Sequence, residues 1–451
     1  MSVLLREFQA RLAAVTVVAA LAGAALAADA TPEAQRVQTV IDLLKKGDAA
    51  AAIAKLGEGP ALLCLSSDPY LVQVVCDRAF RFDSAKADAD LRRTLAARLL
   101  ELAKAANTAA PADDRTRWAL AEAYVLTARA NPETGAMGCD MAATLLEKVY
   151  AGHPGDSLPL VYAASFTLEG ACACADPNSV LALSNRADAL AKKAMDGQRD
   201  SATLAVSIGT SQLWAARTIW PANHKVSRNQ VKSALETLRP FATRKSPAVD
   251  AAGLWNDAVE FGLVSEMGLP ERIVTAPHLV LDGRLLLDVP VSPRWSLTTV
   301  PGTDEQPAYE YVTEVDASGT RLRQVIFRSY AWNQQYTFEN PVPCGGDNVK
   351  TIALGLQEMS AARIFAPGAT TPAPARRPFC KELDGYAFEA AGKTAAGPTP
   401  EEQPEPLHLY GYVVRGRDQT CYAALVYVYG KDDRLGTGMA TLVASLRPPE
   451  R

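Results

Sequence analysis

Asp140–Ser157 reads DMAATLLEKVYAGHPGDS, Val161–Gly170 reads VYAASFTLEG, and Ser184–Ser201 reads SNRADALAKKAMDGQRDS ahead of ATLAVSIGTS at Ala202–Ser211. Ala142, Leu145, Lys148 and Gly152 return as Ala187, Leu190, Lys193 and Gly197, a shift of 45 residues. A fainter third copy, Leu235, Glu236 and Leu238, matches Leu146, Glu147 and Val149 after a shift of 89. A period of about 45 residues is what stacked helical hairpins produce, because each hairpin buries its apolar side against the next.

The pattern extends in both directions. Thr31-Pro32-Glu33 is a helix start, with a capping hydroxyl, Pro in the first turn and then an acid. Val37, Val40, Ile41 and Leu44 follow at the spacing of one buried helix face, and Gly47 ends the run. Asp68-Pro69, Asp113-Asp114 and Asp176-Pro177 are further starts. Ser201 opens a helix that stops before Pro221. Ser227-x-x-Gln230 reads as a capping box ahead of Val231, Ala234, Leu235 and Leu238, with Pro240 closing the helix. Ala248 to Met267 is the last helical run, broken by Gly268-Leu269-Pro270. The sequence thus predicts about eleven helices with short connections, an all-α helical-hairpin solenoid over residues 28–268.

This part resembles tetratricopeptide-like (TPR-like) solenoids. Ala142, Leu146, Val149 and Pro154 stand where that family has its second helix and closing Pro. The departures are large: the Trp-Leu-Gly-Tyr signature of the first helix is absent before Ala142, Trp118 to Tyr124 only echoes it, and the period is about 45 instead of about 34. The resemblance implies a scaffold for protein partners and no chemistry.

The first 27 residues are different in kind. Arg6 and Arg11 precede an apolar run from Leu12 to Leu26, and Ala25-Leu26-Ala27 puts small residues at a cleavage site, the form of a secretory signal peptide. The apolar run falls short of the roughly 20 residues needed to span a bilayer, so no integral membrane segment is expected after signal removal. The expected location is exported, periplasmic or extracellular. The chain has 451 residues and a formal charge of −4; losing residues 1–27 removes Arg6, Arg11 and Glu7 and leaves −5. That balance argues against nucleic acid as a partner.

Residues 274–450 change character. Leu279–Leu287 is two strands around Asp282-Gly283, a strong hairpin signal. Tyr309–Val315 and Leu322–Tyr330 form a second hairpin, Asn348–Ile364 a helix, Leu407–Arg415 and Cys421–Tyr429 a third hairpin, and Gly438–Leu446 a closing helix. Cys421–Tyr429 is apolar on both faces, as a central strand should be. Residues 366–378, with Pro367, Pro372, Pro374 and Pro378, and residues 391–406 read as Pro-rich loops. The order predicts an antiparallel sheet with helices on a face, an α+β sandwich, and hence an α+β multidomain chain. Val289-Pro290, Pro293-Arg-Trp295 and Ala444-Ser-Leu-Arg447 give it a faint likeness to the PsbP-like sandwich, which implies a non-catalytic binding or assembly module.

Chemical motifs are sparse. His153, His224, His278 and His408 lie far apart, so no metal site is assigned, and no cofactor is implied. No Gly-x-Ser-x-Gly or phosphate-loop motif occurs. Gly345-Gly346-Asp347 ahead of a helix reads as a capped turn sooner than an anion cradle. Eight cysteines, Cys64, Cys76, Cys139, Cys172, Cys174, Cys344, Cys380 and Cys421, in an exported chain predict disulfides. The expected pairs are Cys64 with Cys76, Cys139 with Cys172 or Cys174, and Cys344 with Cys380, leaving Cys421 and one member of Cys172-Ala-Cys174 to join the halves or stay free. Trp214, Trp220 and Trp255 can line a groove for peptide or glycan, or pack as core. No catalytic residue is assigned. The expectation is a non-enzymatic interaction protein that binds a protein or envelope component. The rivals are a cell-wall or glycan hydrolase using Glu310 and Glu314 as acid and base, and a small-ligand binding protein using the Trp groove.

Overall fold

The computed structural model describes residues 32–56, 69–80, 89–280, 285–301, 309–316, 319–330, 348–380, 383–395, 404–415, 421–430 and 434–447. The signal-like segment, Cys64, Cys344 and Gly345-Gly346-Asp347 lie outside them. The chain divides into two compact units, Met1–Phe241 and Ala242–Arg451.

Among the described residues, ten α-helices build the first unit: α1 (Pro32–Lys46), α2 (Ala49–Leu56), α3 (Pro69–Phe80), α4 (Ala89–Ala109), α5 (Asp114–Ala130), α6 (Gly135–Gly152), α7 (Leu158–Ala173), α8 (Pro177–Gly197), α9 (Ala202–Ile219) and α10 (His224–Ala242). They form five hairpins. Odd-numbered helices pack on odd ones (α1 on α3, α3 on α5, α7 on α9), and each even helix from α4 to α8 lies against an odd neighbour. From α3 to α9 the odd helices begin at residues 69, 114, 158 and 202, steps of 45, 44 and 44, so the sequence period is the hairpin repeat. Ala142 and Ala187 are both buried at the same place on α6 and α8, and Lys148 and Lys193 are both exposed.

Local chemistry sets the helix ends. The Asp113 carboxylate accepts from Arg115 N, Asp176 from Asn178 and Ser179 N with Pro177 following, and Ser201 Oγ from Leu204 N. Gly47 closes α1 at φ 82°. One end differs from the sequence reading. Helix α10 begins at His224, where Asn223 Oδ1 accepts from Val226 N at 3.1 Å. Ser227 and Gln230 therefore lie inside the helix: Ser227 Oγ donates to Ala216 O at 2.7 Å, and Gln230 Nε2 donates to Asp188. Pro240 sits within the last turn.

Helix α7 is buried all round, twelve of its residues being inaccessible, with Glu169 its single charge. It packs on α6, α8 and α9, and Trp118 of α5 meets Tyr162 of α7 edge-on. A helix with neighbours on every side must be apolar on every side. Close approach is made with glycine: a Cβ on Gly170 would lie 3.0 Å from Cys139 Cβ of α6.

The second unit holds α11 (Val249–Val264), β1 (Thr275–Val280), β2 (Leu285–Pro290), β3 (Trp295–Val300), β4 (Tyr309–Val315), β5 (Arg321–Tyr330), α12 (Asn348–Ile364), β6 (Ala375–Cys380), β7 (Leu383–Lys393), β8 (Pro406–Arg415), β9 (Cys421–Tyr429) and α13 (Thr437–Ala444). Seven antiparallel strands pair in the order β3-β4-β5-β9-β8-β7-β6, and β1 pairs with β2 as a separate hairpin. β9 is the central strand, as its two apolar faces require.

Three features depart from expectation. The sheet is covered on both faces: α12 packs over Phe388, Leu409 and Leu425, while α13 and the β1–β2 hairpin pack over Val325, Phe327 and Val426. The strands β3, β6 and β7 are absent from the sequence reading, and they take up residues 375–378 and 391–393 of the expected loops. Pro378 is tolerated because β6 is the sheet edge. Finally, the helical run at 248–267 belongs with the second unit. Trp255 Nε1 donates to Arg272 O at 2.9 Å, and Asn256 exchanges hydrogen bonds with Val274 and donates to Val291 O. Leu286 and Arg447 exchange backbone bonds, and the Arg447 guanidinium grips Asp288 at 2.8 and 3.0 Å.

Candidate functional site

The three tryptophans are divided between the two units. Trp255 is 3 % exposed, with its N–H committed within the second unit. Trp214 packs on the core made by α7, α8 and α9. Trp220, at the end of α9, stacks on His224 at 4.0 Å between ring centroids. The sheet tyrosines are packing groups: Tyr422 is buried, Tyr412 lies against the same core, and His408 stacks on Tyr410 at 4.2 Å. An apolar crevice lined by Leu285, Phe327, Tyr412, Val414, Tyr422 and Leu446 admits about one water molecule.

Glu310 and Glu314 share one face of β4, but Glu314 does not open on a cleft. Its side chain is 3 % exposed; Oε2 accepts from Arg323 at 2.8 Å, and Oε1 from Arg294 at 3.2 Å. Arg294 also pairs with Asp257 of α11 at 3.0 Å. Beside this chain of charges, Glu260 accepts from Gly438 N at the start of α13 at 2.7 Å. Burial pushes the Glu314 carboxyl up, Arg323 and Arg294 pull it down, and Glu260 pushes it up further. With both oxygens committed, Glu314 positions α11 against the sheet and has no room for a substrate.

A second polar cluster lies in the first unit. Asp188 of α8 accepts from Gln212 Nε2 of α9 and Gln230 Nε2 of α10, both at 3.1 Å. Burial raises its carboxyl, opposed by Gln212, Ser233 and Gln230. Farther along, the Arg129 guanidinium binds both oxygens of Glu169 at 2.5 and 2.9 Å and lies 4.3 Å above the Phe80 ring. Arg186 of α8 pairs with Asp140 and Glu147 of α6. Each contact joins neighbouring hairpins.

The cysteines depart from the expected pairing. Cys76, Cys139, Cys172 and Cys174 are free thiols. Cys139 faces Gly170, whereas Cys172 and Cys174 pack into a different core with Leu168 and Ile219, which is why the predicted Cys139 bridge is not made. Burial pushes the Cys76, Cys139 and Cys172 thiols well up, reinforced by carboxylates (Glu122 at Cys76, Glu169 at the other two); Cys174 is raised by burial and Asp176. Such thiols are poor nucleophiles at neutral pH. Cys421, buried at the start of β9, is disulfide-bonded, so it is not left over as expected. The Cys380 side chain lies outside the described set, as do Cys64 and Cys344.

Among the described residues no group of three or more His, Cys, Asp or Glu could hold a metal ion, and no helix is long and apolar enough to cross a membrane. One surface feature escapes the sequence reading: Lys225, Arg228 and Lys232 stand exposed on α10 at spacings of three and four residues. The spacing is visible in HKVSRNQVKSALETLRP, where the apolar side draws the eye first.

No protein-family model matches the chain, and no curated protein matches it. Among solved structures, a thermophilic TPR protein of Thermus thermophilus covers 50% of this chain and 98% of its own length, with 17% identity and a TM-score of 0.30. The hairpin stack itself is read from this chain's own helices and their packing.

Proposed function

We propose that this chain is an exported, non-enzymatic interaction protein whose helical-hairpin stack holds a protein or envelope component. The observation that carries the reading is the run of stacked hairpins, whose repeat is constant from α3 to α9. Such arrays present long, regular surfaces built from equivalent positions, and partner binding is the use such surfaces suit. Export rests on the sequence of residues 1–27. The second unit, a sheet between helices, is a PsbP-like binding or assembly module in this proposal. The rival hydrolase reading is weakened by Glu314, whose carboxylate is sealed between two arginines. The Trp-groove reading is weakened by the burial of Trp255.

Affinity capture with the mature chain from an envelope extract tests the proposal. The expected result is stoichiometric recovery of one partner, with loss on deletion of residues 28–241. Recovery of nothing, or turnover of a glycan substrate by the purified chain, counts against it. N-terminal sequencing of the protein from its native host should find Ala28 or Asp29 first; Met1 retained in a membrane fraction would refute export.

A further inference from the structure

Among the described residues, the strand edges of the second unit are the outer sides of β1, β2, β3 and β6, and they are not finished alike. On β2 the edge is bonded: Leu286 exchanges backbone bonds with Arg447, and Asp288 N donates to Ser445 Oγ at 2.8 Å. On β1, Val291 N donates to Val274 O, so by alternation Thr275, Pro277 and Leu279 turn their backbone outward, and Pro277 brings no N–H. The β6 edge carries Pro378 and a register shift between Pro378 and Cys380. Proline, bulges and charged side chains are the usual guards of an edge strand. β3, WSLTTV, has no proline and no charge, and it pairs with β4 without a shift.

The β3 edge is open as well as unguarded. Val315 N donates to Arg294 O at 2.9 Å. Carried along the register, that pair turns the backbone of Ser296, Thr298 and Val300 toward β4 and leaves the N–H and C=O of Leu297 and Thr299 facing outward. Neither residue has another hydrogen bond among the described residues. We infer that this edge is a homodimer interface: β3 pairs antiparallel with β3 of a second copy, joining the two sheets into one. The inference goes beyond the scaffold reading and stands without it.

The edge selects its occupant. It offers main chain, so the occupant is an extended strand. A foreign strand is chosen by side-chain pockets beside the edge, whereas the apolar crevice of this unit lies at β8 and β9. A strand that pairs with its own copy must avoid like charges opposite each other, and WSLTTV carries none. The geometry also fixes the register. With Leu297 opposite the partner's Thr299, every outward N–H and C=O of these two residues is paired. A register centred on Leu297 leaves the Thr299 carbonyl over, and one centred on Thr299 leaves that of Leu297, because Trp295 N is already bonded to Ser292 O and Pro301 has no N–H. Thr298 then lies on the two-fold axis opposite its own copy, and facing threonines are a favourable pair. Such a contact closes on itself, and the blocked β6 edge keeps the assembly at two copies.

Sedimentation equilibrium of the full mature chain over about 5–300 μM is the test, a range suited to a small, reversible interface. Wild type should rise from the monomer mass toward twice that mass and no further. Thr299→Pro removes an outward N–H and leaves the ladder to β4 whole, so it should stay monomeric. Thr298→Lys sets like charges face to face and should stay monomeric too, whereas Thr298→Val should dimerise as wild type does. Thermal melts of Thr298→Lys and Thr298→Val below the dimerisation range should match wild type, which separates loss of the dimer from loss of the fold. Under mild oxidation Thr298→Cys should form an intermolecular disulfide, because residues facing at a non-bonded pair have Cα atoms about 4.5 Å apart. Thr299→Cys, whose two copies lie on a diagonal about 7–8 Å long, should cross-link at least about tenfold more slowly; wild type, with its own cysteines, is the blank. A monomer mass throughout, a dimer that survives both Thr299→Pro and Thr298→Lys, growth beyond two copies, or equal cross-linking by the two cysteine variants would each overturn the inference.

Discussion

Gly411 of β8 faces Phe388 of β7 across a backbone pair, and the ring occupies the space a side chain would need. A Cβ built on Gly411 falls 2.0 Å from Phe388 Cζ and 2.2 and 2.4 Å from the two Cε atoms. The ring is 2 % exposed and packs in the core beneath Val349, Ala353 and Leu356 of α12, so it cannot swing out to solvent. Gly411→Ala must therefore push the ring into α12 or spread the β7–β8 pair. Overpacking of this kind costs about 1–3 kcal/mol. Against it stands the gain from removing a strand glycine, about 0.5–1 kcal/mol, so a net loss of about 1–2 kcal/mol is expected. In a Phe388→Leu background the clash is gone and the same substitution should be neutral or mildly stabilising. The double-mutant cycle then shows a coupling of about 1–3 kcal/mol. Hydrogen exchange of the β8 and β9 amides, read by mass spectrometry on the full chain, reports the local opening free energy without assuming that both units unfold together. A loss below about 0.5 kcal/mol, or no coupling to position 388, refutes the packing argument.

Three further outcomes are expected. Arg129→Met leaves the mostly buried Glu169 without its partner and should destabilise the first unit by about 3 kcal/mol in urea unfolding; a change under about 1 kcal/mol would show that Glu169 is solvated. Asp113 and Asp176 titrate below their ordinary value, held down by hydrogen bonds from Arg115 and from Ser179 and Asn178. Their cap contribution is thus fully present above about pH 4 and lost as pH falls through the lowered values; helicity followed by circular dichroism should decline over that range, and less so in Asp113→Ala/Asp176→Ala. Under native conditions iodoacetamide at pH 8 should leave Cys76 and Cys139 unmodified while Cys174 reacts first, as mass mapping would record; rapid native labelling of Cys76 contradicts its burial.

The repeat was legible because its signals are local and recur. Capping residues at Asp113, Asp176 and Ser201 and apolar spacing on α6 and α8 all point the same way, and such agreement across levels specifies a fold. The Ser227-x-x-Gln230 string shows the limit of local reading. It has the form of a cap, but Asn223 lies four residues earlier, and the interior gave Ser227 and Gln230 partners on other helices. β7 was missed because LDGYAFEAAGK is rich in Ala and Gly, residues with little strand preference; Phe388 and its glycine partner across the sheet make it a strand. α11 was assigned to the wrong unit for a similar reason. Its apolar periodicity says only that it packs on something, while Asn256, Asp257 and Glu260, which choose the partner, look like ordinary surface polarity in one dimension. Glu314 could not be told from a surface carboxylate until Arg294, just before β3, and Arg323 of β5 converged on it.

The burial of α5, α7 and α9 constrains where a partner can sit. α5, α7 and α9 expose only Arg115, Ala173, Thr203 and Thr218, too little to form the binding surface on which the scaffold reading depends. The even helices are different: α6 presents Met137, Met141, Thr144 and Lys148 to solvent, and α10 presents its cations. Substitutions at such exposed positions usually change stability by no more than about 0.5 kcal/mol, so loss of partner there reads as loss of contact. On α7, by contrast, Leu160→Ala opens a cavity and should cost about 2–5 kcal/mol. A survey with the mature chain should therefore find binding losses without stability losses on α6, α8 and α10, and losses of both together on α7. If a folded α7 variant of undiminished stability lost the partner while every even-helix variant kept it, the binding surface would have to include α7, through residues that the packing leaves almost no room to expose.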